Sequence, residues 1–330
     1  MDLEKYLVDK KGMFLRASET NGLNKKGMFF TILAMILISL FVLSLVVFSD
    51  FTKRESTKQR VETLDNLVSA FDDDLPRRVY LIGFRTIFLA EKKIIEEGEN
   101  ISDLNALVNE TFFLGTFEGN DYDSILNGAT FNDTILYLRS KADKISANVT
   151  INNPQLTVYQ DDPWNVKLNF TGQLILEDYA DVAAWDKPLN IIVEIPVSSF
   201  NDPLYLLNTN GFMTQKVIQT PYTDFVDGSN VDNLKSHLNG AYYIASPLAP
   251  SFIDRLEGIN APSTYGVESL VNLNNLSILD IPVREGRSVV DYIYFSDVVH
   301  TSCNVLPAGM PSWFRLNATH LATYELTSCA

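Results

Sequence analysis

Hydrophobic positions change their period twice along this chain. From Met28 to Phe48 no residue is charged, and none of the 21 is glycine or proline. At 1.5 Å of rise per residue, that stretch crosses a ~30 Å hydrocarbon core as one helix. Glycine and proline stay absent as far as Leu75, and the second half of the run turns amphipathic. Val61, Leu64, Val68, Phe71 and Leu75 recur at spacings of three and four, the stripe of a helix that packs one face. Asp72-Asp73-Asp74-Leu75-Pro76 then predicts a break and a new helix, because acids suit a helix N-terminus and proline suits a first turn. Val79 to Ala90 carries one charge, Arg85, and is too short to span a bilayer, so it reads as a buried core helix ending at Glu96-Glu97-Gly98. Two more helices are expected near 102–114 and 122–145, around a loop from Gly115 to Asn120.

Near residue 146 the period falls to two. Val166, Leu168, Phe170, Leu174 and Leu176 alternate with Lys167, Asn169, Thr171 and Gln173, a half-buried strand interrupted by Gly172. Leu189, Ile191, Val193, Ile195 and Val197 form a second alternating run, with Pro196 at its end. Shorter strands are expected at 147–152 and 155–160, on either side of the turn signal Asn152-Asn153-Pro154. Beyond Pro203 the pattern is mixed: a hairpin over 204–222 around Asn208-Thr209-Asn210-Gly211, short helices at 231–239 and 248–257, and apolar runs near 267–273, 289–295 and 313–326. The fold class is therefore α+β. The expected organisation is a leader (1–27), a transmembrane helix (28–48), a helical stalk and subdomain (49–145) and a β-rich extracytoplasmic domain (146–330), the last a sheet or sandwich.

Charge changes this picture in one respect. The first 50 residues hold six Lys/Arg and five Asp/Glu, leaving 20 and 36 for the remainder. So acidic a region repels phosphate backbones, which argues against nucleic-acid partners and for a dispersed, soluble surface. Two cysteines, Cys303 and Cys329, lie near the C-terminus. They either form one bridge, worth ~3 kcal/mol for a loop of that size, or stand as separate buried thiols.

Basic residues flank the apolar helix on both sides: Lys10, Lys11, Arg16, Lys25 and Lys26 before it, Lys53, Arg54, Lys58 and Arg60 after it. They do not fix its orientation. The candidate disulfide and seven N-x-S/T sequons, at Asn100, Asn109, Asn132, Asn148, Asn169, Asn275 and Asn317, place the C-terminal part outside and the N-terminus in the cytoplasm. No small-residue cleavage site follows the apolar run, so the helix stays as a single-pass anchor in membrane lipid.

Lys25-Lys26-Gly27-Met28 directly before that helix resembles the class III signal of archaeal type IV pilin-like proteins. Lys10-Lys11-Gly12-Met13-Phe14 repeats the motif but leads into no apolar run. The resemblance implies cutting by a prepilin peptidase between Gly27 and Met28, and self-association or packing with other pilin-like subunits. Ile32 stands where many bacterial members have glutamate. A second resemblance, carried by Asp161-Asp162-Pro163-Trp164, Asp202-Pro203-Leu204-Tyr205-Leu206 and Ser288-Val289-Val290-Asp291-Tyr292-Ile293-Tyr294-Phe295, is to archaeal single-span surface proteins of unknown function. It implies no activity.

The residues show no chemistry of their own. His237, His300 and His320 are far apart, and no P-loop, G-x-S-x-G, G-x-G-x-x-G or C-x-x-C occurs. No catalytic, metal or cofactor residue is expected, and the chain reads as a structural or interaction protein of the cell surface rather than an enzyme. The rival reading is an anchored receptor or adhesin whose sheet binds glycan or protein near Trp164 and Trp185. An envelope hydrolase would need paired carboxylates, or a histidine beside a nucleophile, in a cleft.

Overall fold

The computed structural model describes residues 25–296, 302–303 and 309–326. The apolar run and the amphipathic stripe fall on one helix, α1 (Lys25–Glu97), of 73 residues. It continues through Pro76, so the break expected at Asp72–Pro76 does not occur. Proline in a helix interior removes a donor and crowds the carbonyl four residues back, at ~3 kcal/mol. Phe71, Leu75, Val79 and Ile82, on either side of it, are all buried. At about 1.5–3 kcal/mol each, their packing outweighs that loss. The aspartates are accordingly not caps. Asp74 pairs with Arg78 one turn on at 2.8 Å, and Asp72 pairs with Lys187. The helix stops at Glu97, where Gly98 takes a φ of +70°.

Two compact units divide the chain, Met1–Glu62 and Thr63–Ala330. In the first, every residue from Met28 to Phe48 is exposed. In the second, α1 is followed by α2 (Leu104–Leu114), a small hairpin of β1 (Thr116–Phe117) and β2 (Asn120–Asp121), α3 (Asp123–Leu126) and α4 (Phe131–Asp143). The single helix expected over 122–145 is two, because Thr130 and Asp133 form a capping box that starts α4 afresh.

β3 (Ala147–Asp162), β4 (Asn165–Asp178) and β5 (Ala184–Pro196) form an antiparallel meander. The turn expected at Asn152-Asn153-Pro154 is instead a bulge within β3. Pairing passes from Asn152↔Gln173 to Gln155↔Thr171, and Asn153 adopts a φ of +49°. The alternation read along β4 does bury Val166, Leu168, Phe170, Leu174 and Leu176 against α1, α2 and α4. α1 comes closest at Gly83, where a Cβ would lie 2.6 Å from Leu168 Cδ2 and 2.7 Å from Ile195 Cδ1.

After Pro196 the described strands are only two or three residues long. A 3-10 turn (Val197–Ser199) leads into α5 (Pro203–Asn208), α6 (Asp232–Gly240), β6 (Tyr243–Ala245), α7 (Phe252–Leu256), β7 (Val267–Ser269), α8 (Leu273–Ile278), α9 (Asp291–Phe295), β8 (Ser302–Cys303), β9 (Leu316–Asn317) and a 3-10 turn (Ala318–His320). β6 pairs with β7, and β8 with β9, both antiparallel. The hairpin expected over 204–222 is replaced by α5. Asp202 caps that helix by accepting from the Leu204 N–H, and Pro203 occupies its first turn. These elements enclose a second apolar core around Tyr205, Leu234, Leu238, Leu276, Ile293, Phe314 and Tyr324. The protein is thus α+β, with a long apolar N-terminal helix and antiparallel sheets.

Candidate functional site

Two features of the chain carry physical tension that a function must account for. The first is the exposed apolar half of α1. Among the described residues, α1 alone is long and apolar enough to cross a membrane. Two of the three hydroxyls between Met28 and Phe48 bond within the helix: Thr31 Oγ1 donates to Met28 O at 2.9 Å and Ser39 Oγ to Ile36 O at 2.8 Å. Those two polar groups are therefore satisfied as hydrocarbon demands, and Ser44 is the third. Lys25 and Lys26 open α1, and Gly27 and Met28 lie in its first turn. Among the described residues, a Cβ at Gly27 would meet nothing within 4 Å.

The second feature is a buried ionic cluster centred on Arg255. Phe252 and Leu256 anchor α7 in the first core, which turns Arg255 inward with no exposed surface. Its Nη1 donates to Asp202 Oδ2 at 2.5 Å and to Asp291 Oδ2 at 2.9 Å, and its Nη2 donates to the Val267 carbonyl. The Tyr243 hydroxyl donates to Asp202 Oδ2 at 2.8 Å, while Ser269 donates to Asp291 Oδ2 through both N–H and Oγ. The partners come from the cap of α5, the sheet pair β6–β7 and the first residue of α9. Asp202 and Asp291 lie in two of the three stretches that carry the second resemblance, so segments about 90 residues apart in the chain meet at one guanidinium.

Next to this cluster Glu268 is fully buried, and among the described residues no hydrogen bond of normal geometry reaches its carboxylate oxygens. His320 Nε2 lies 3.4 Å from Glu268 Oε2 and 2.9 Å from the Tyr292 hydroxyl. Burial pushes the Asp291 carboxyl up to about 6, against the pull of Arg255. Elsewhere burial raises Glu91, on α1, to about 8, although its Oε1 accepts from the Asn201 N–H at 2.5 Å. Burial also lowers His237 to about 4. Paired buried carboxylates are thus present, but Asp202, Asp291 and Arg255 are closed to solvent. As folded, the cluster joins elements from the cap of α5 to the start of α9.

The other residues singled out in the sequence are dispersed. Cys303 lies in β8, whereas Cys329 and His300 lie outside the described residues. Trp164 and Trp185 are half-buried against the first core. Among the described residues no three His, Cys, Asp or Glu side chains gather as a metal site. Asn109 Nδ2 donates to Asn105 O and Leu156 O at 2.8 Å each, Asn100 and Asn169 each bury an amide oxygen, and Asn317 Oδ1 accepts from the Thr319 N–H. Asn148 and Asn275 are half-buried, and Asn132 is exposed. Arg255 was not legible as a cluster centre, because an arginine in the short pattern Phe252-Ile253-Asp254-Arg255-Leu256 looks like any surface helix residue. The one local signal was Asp202-Pro203, a helix start whose cap also serves as an ion-pair partner. No family model, curated protein or solved structure matches this chain.

Proposed function

We propose that this is a pilin-like surface protein: Met28–Phe48 lies in membrane lipid and the unit Thr63–Ala330 is presented outside the cell. Its role is structural or interactive, through packing of the apolar helix against lipid or like helices. The observation that carries this reading is the joining, within α1, of two opposite surfaces. Met28 to Phe48 is uncharged and exposed all round, while Leu64, Val68, Phe71 and Leu75 are buried in the folded unit. An exposed apolar run of that length calls for a hydrocarbon or protein environment. The basic pair before Gly27 supports processing by a prepilin-type peptidase at Gly27–Met28.

The test is the mass of the N-terminal peptide of the protein isolated from native membranes. A chain beginning at Met28 supports peptidase processing and makes filament assembly the next question. A chain retaining residues 1–27 removes the pilin-type reading and leaves an anchored surface domain whose ligand has to be sought on the acidic unit.

A further inference from the structure

Seven sequons are present, but the fold does not treat their asparagines alike. A glycan replaces one Nδ2 hydrogen and needs open space beyond it. Asn109 uses Nδ2 for two hydrogen bonds, to Asn105 O and Leu156 O. Asn100 Nδ2 packs on Gly258, so close that a Cβ on that glycine would lie 2.4 Å away. Asn169 sits in the central strand β4 with its amide oxygen buried, and the Asn317 amide is folded back on Thr319. Asn148 lies in β3 opposite Glu177, half-buried, and Asn275 is half-buried on α8. Asn132 differs from all six. It is exposed on the first turn of α4, and among the described residues no hydrogen bond engages its amide.

The surroundings of Asn132 point the same way. It borders a groove of about 340 Å³ lined by Leu114, Thr116, Asp121, Asn127 and Thr130 among others. Leu114 is 74% exposed, and Leu136, one turn along α4 from Asn132, is 55% exposed. Two large apolar side chains thus flank an unengaged amide beside a polar-lined groove. A saccharide attached there has hydroxyl partners in the groove and apolar surface to cover.

We propose that Asn132 is the N-glycosylated residue of this protein. The step is attack of Asn132 Nδ2 on C1 of a sugar carried by a polyprenyl phosphate or pyrophosphate. The C1–O bond to the lipid phosphate breaks as the N–C1 bond forms. The phosphate leaves with the bonding electron pair, and the proton lost by the amide is taken up by the departing phosphate, directly or through water. Thr134, which completes the sequon, is buried, and its Oγ1 donates to Thr130 O at 2.9 Å. Its hydroxyl is therefore within reach of a transferase only before the first turn of α4 closes, so attachment precedes closure of that turn. The fold discriminates afterwards: it has room for a glycan at Asn132 and opposes one at the six engaged or half-buried asparagines. The proposal rests on the unit Thr63–Ala330 lying outside the cell.

The experiment is glycopeptide mapping of the full chain from native membranes, run beside protease treatment of intact cells. Asn132 is expected to carry hexose-containing mass, lost in Asn132→Gln and kept in Thr134→Ser, where the hydroxyl is retained. Recovery of the Asn132 peptide without added mass overturns the proposal, whichever other sequon is occupied. The protease arm separates the two ideas. Digestion of the unit on intact cells with Asn132 bare sinks the glycan and spares the outside placement, while complete protection sinks the placement and the glycan with it.

Discussion

Arg255 Nη1 stands 2.5 Å from Asp202 Oδ2, and neither side chain has any exposed surface. The same guanidinium holds Asp291, so one cation faces two buried carboxylates at the junction of two apolar cores. Breaking such a pair from one side leaves charge buried without compensation, which costs about 3–5 kcal/mol. Arg255→Met is therefore expected to lower the unfolding free energy by that amount, and Tyr243→Phe, which removes one hydrogen bond to Asp202, by about 1 kcal/mol. Chemical denaturation of detergent-solubilised protein checks both. Equal losses in the two variants would mean that the guanidinium is not the hub of the cluster.

Gly83 makes a second testable contact. A Cβ there lies within 3 Å of Leu168 Cδ2 and Ile195 Cδ1, nearer than real methyl contacts allow. Gly83→Ala gains helix propensity of up to ~1 kcal/mol but overpacks the interface at about 1–3 kcal/mol. A net loss is expected, and Gly83→Ala/Leu168→Ala should lose less than the sum of its single variants, because the smaller side chain makes room. Additivity in a double-mutant cycle would show that helix and sheet simply move apart.

How much of this was readable beforehand depends on the range of the interactions. The stripe Leu64, Val68, Phe71, Leu75, though not its first member Val61, which is exposed, and the alternation of β4 were legible because periodicity records which face is buried. Pro76 and Asn152-Asn153-Pro154 were misread because local turn chemistry lost to packing on both sides. In β3 the misread turn became a bulge opposite Gly172, where a Cβ would lie 3.0 Å from Ile151 Cγ2. The Arg255 cluster left almost no trace, since Asp202, Arg255 and Asp291 are joined only by the tertiary fold. Asn132 was legible as a sequon, but what distinguishes it from the other six is exposure, which a tripeptide does not encode.

The buried acids set a pH dependence whose sign can be worked out. Glu91 rises from 4.5 to about 8 in the folded protein and Asp291 from 3.8 to about 6. A raised carboxyl favours folding while protonated, so its contribution is full below the unfolded value and is lost as pH climbs through the folded one. His237 falls from 6.5 to about 4, so its contribution is full above 6.5 and lost as pH drops through 4. Between pH 6.5 and 8 only Glu91 of these three still titrates. Unfolding free energy is thus expected to decline by about 2 kcal/mol across that interval, at 1.36 kcal/mol per unit. Glu91→Gln should flatten the decline between pH 6.5 and 8. A slope unchanged in that variant would assign the effect to another group.

The apolar half of α1 supports a prediction about retention in the membrane. Of the 21 residues from Met28 to Phe48, 17 are Leu, Ile, Val, Phe or Met. At about −0.3 to −0.6 kcal/mol each for central Leu, Ile, Phe and Val, the segment favours insertion by on the order of 7 kcal/mol. A central lysine opposes that by about 2.5–3.5 kcal/mol. Ile38→Lys alone should leave the chain in the carbonate-resistant membrane fraction. Ile38→Lys/Val42→Lys, with both charges one turn apart and both native residues lost, brings the balance close to zero and should release a large fraction of the protein. Full retention of the double variant would mean that packing against other helices, rather than lipid, holds the segment.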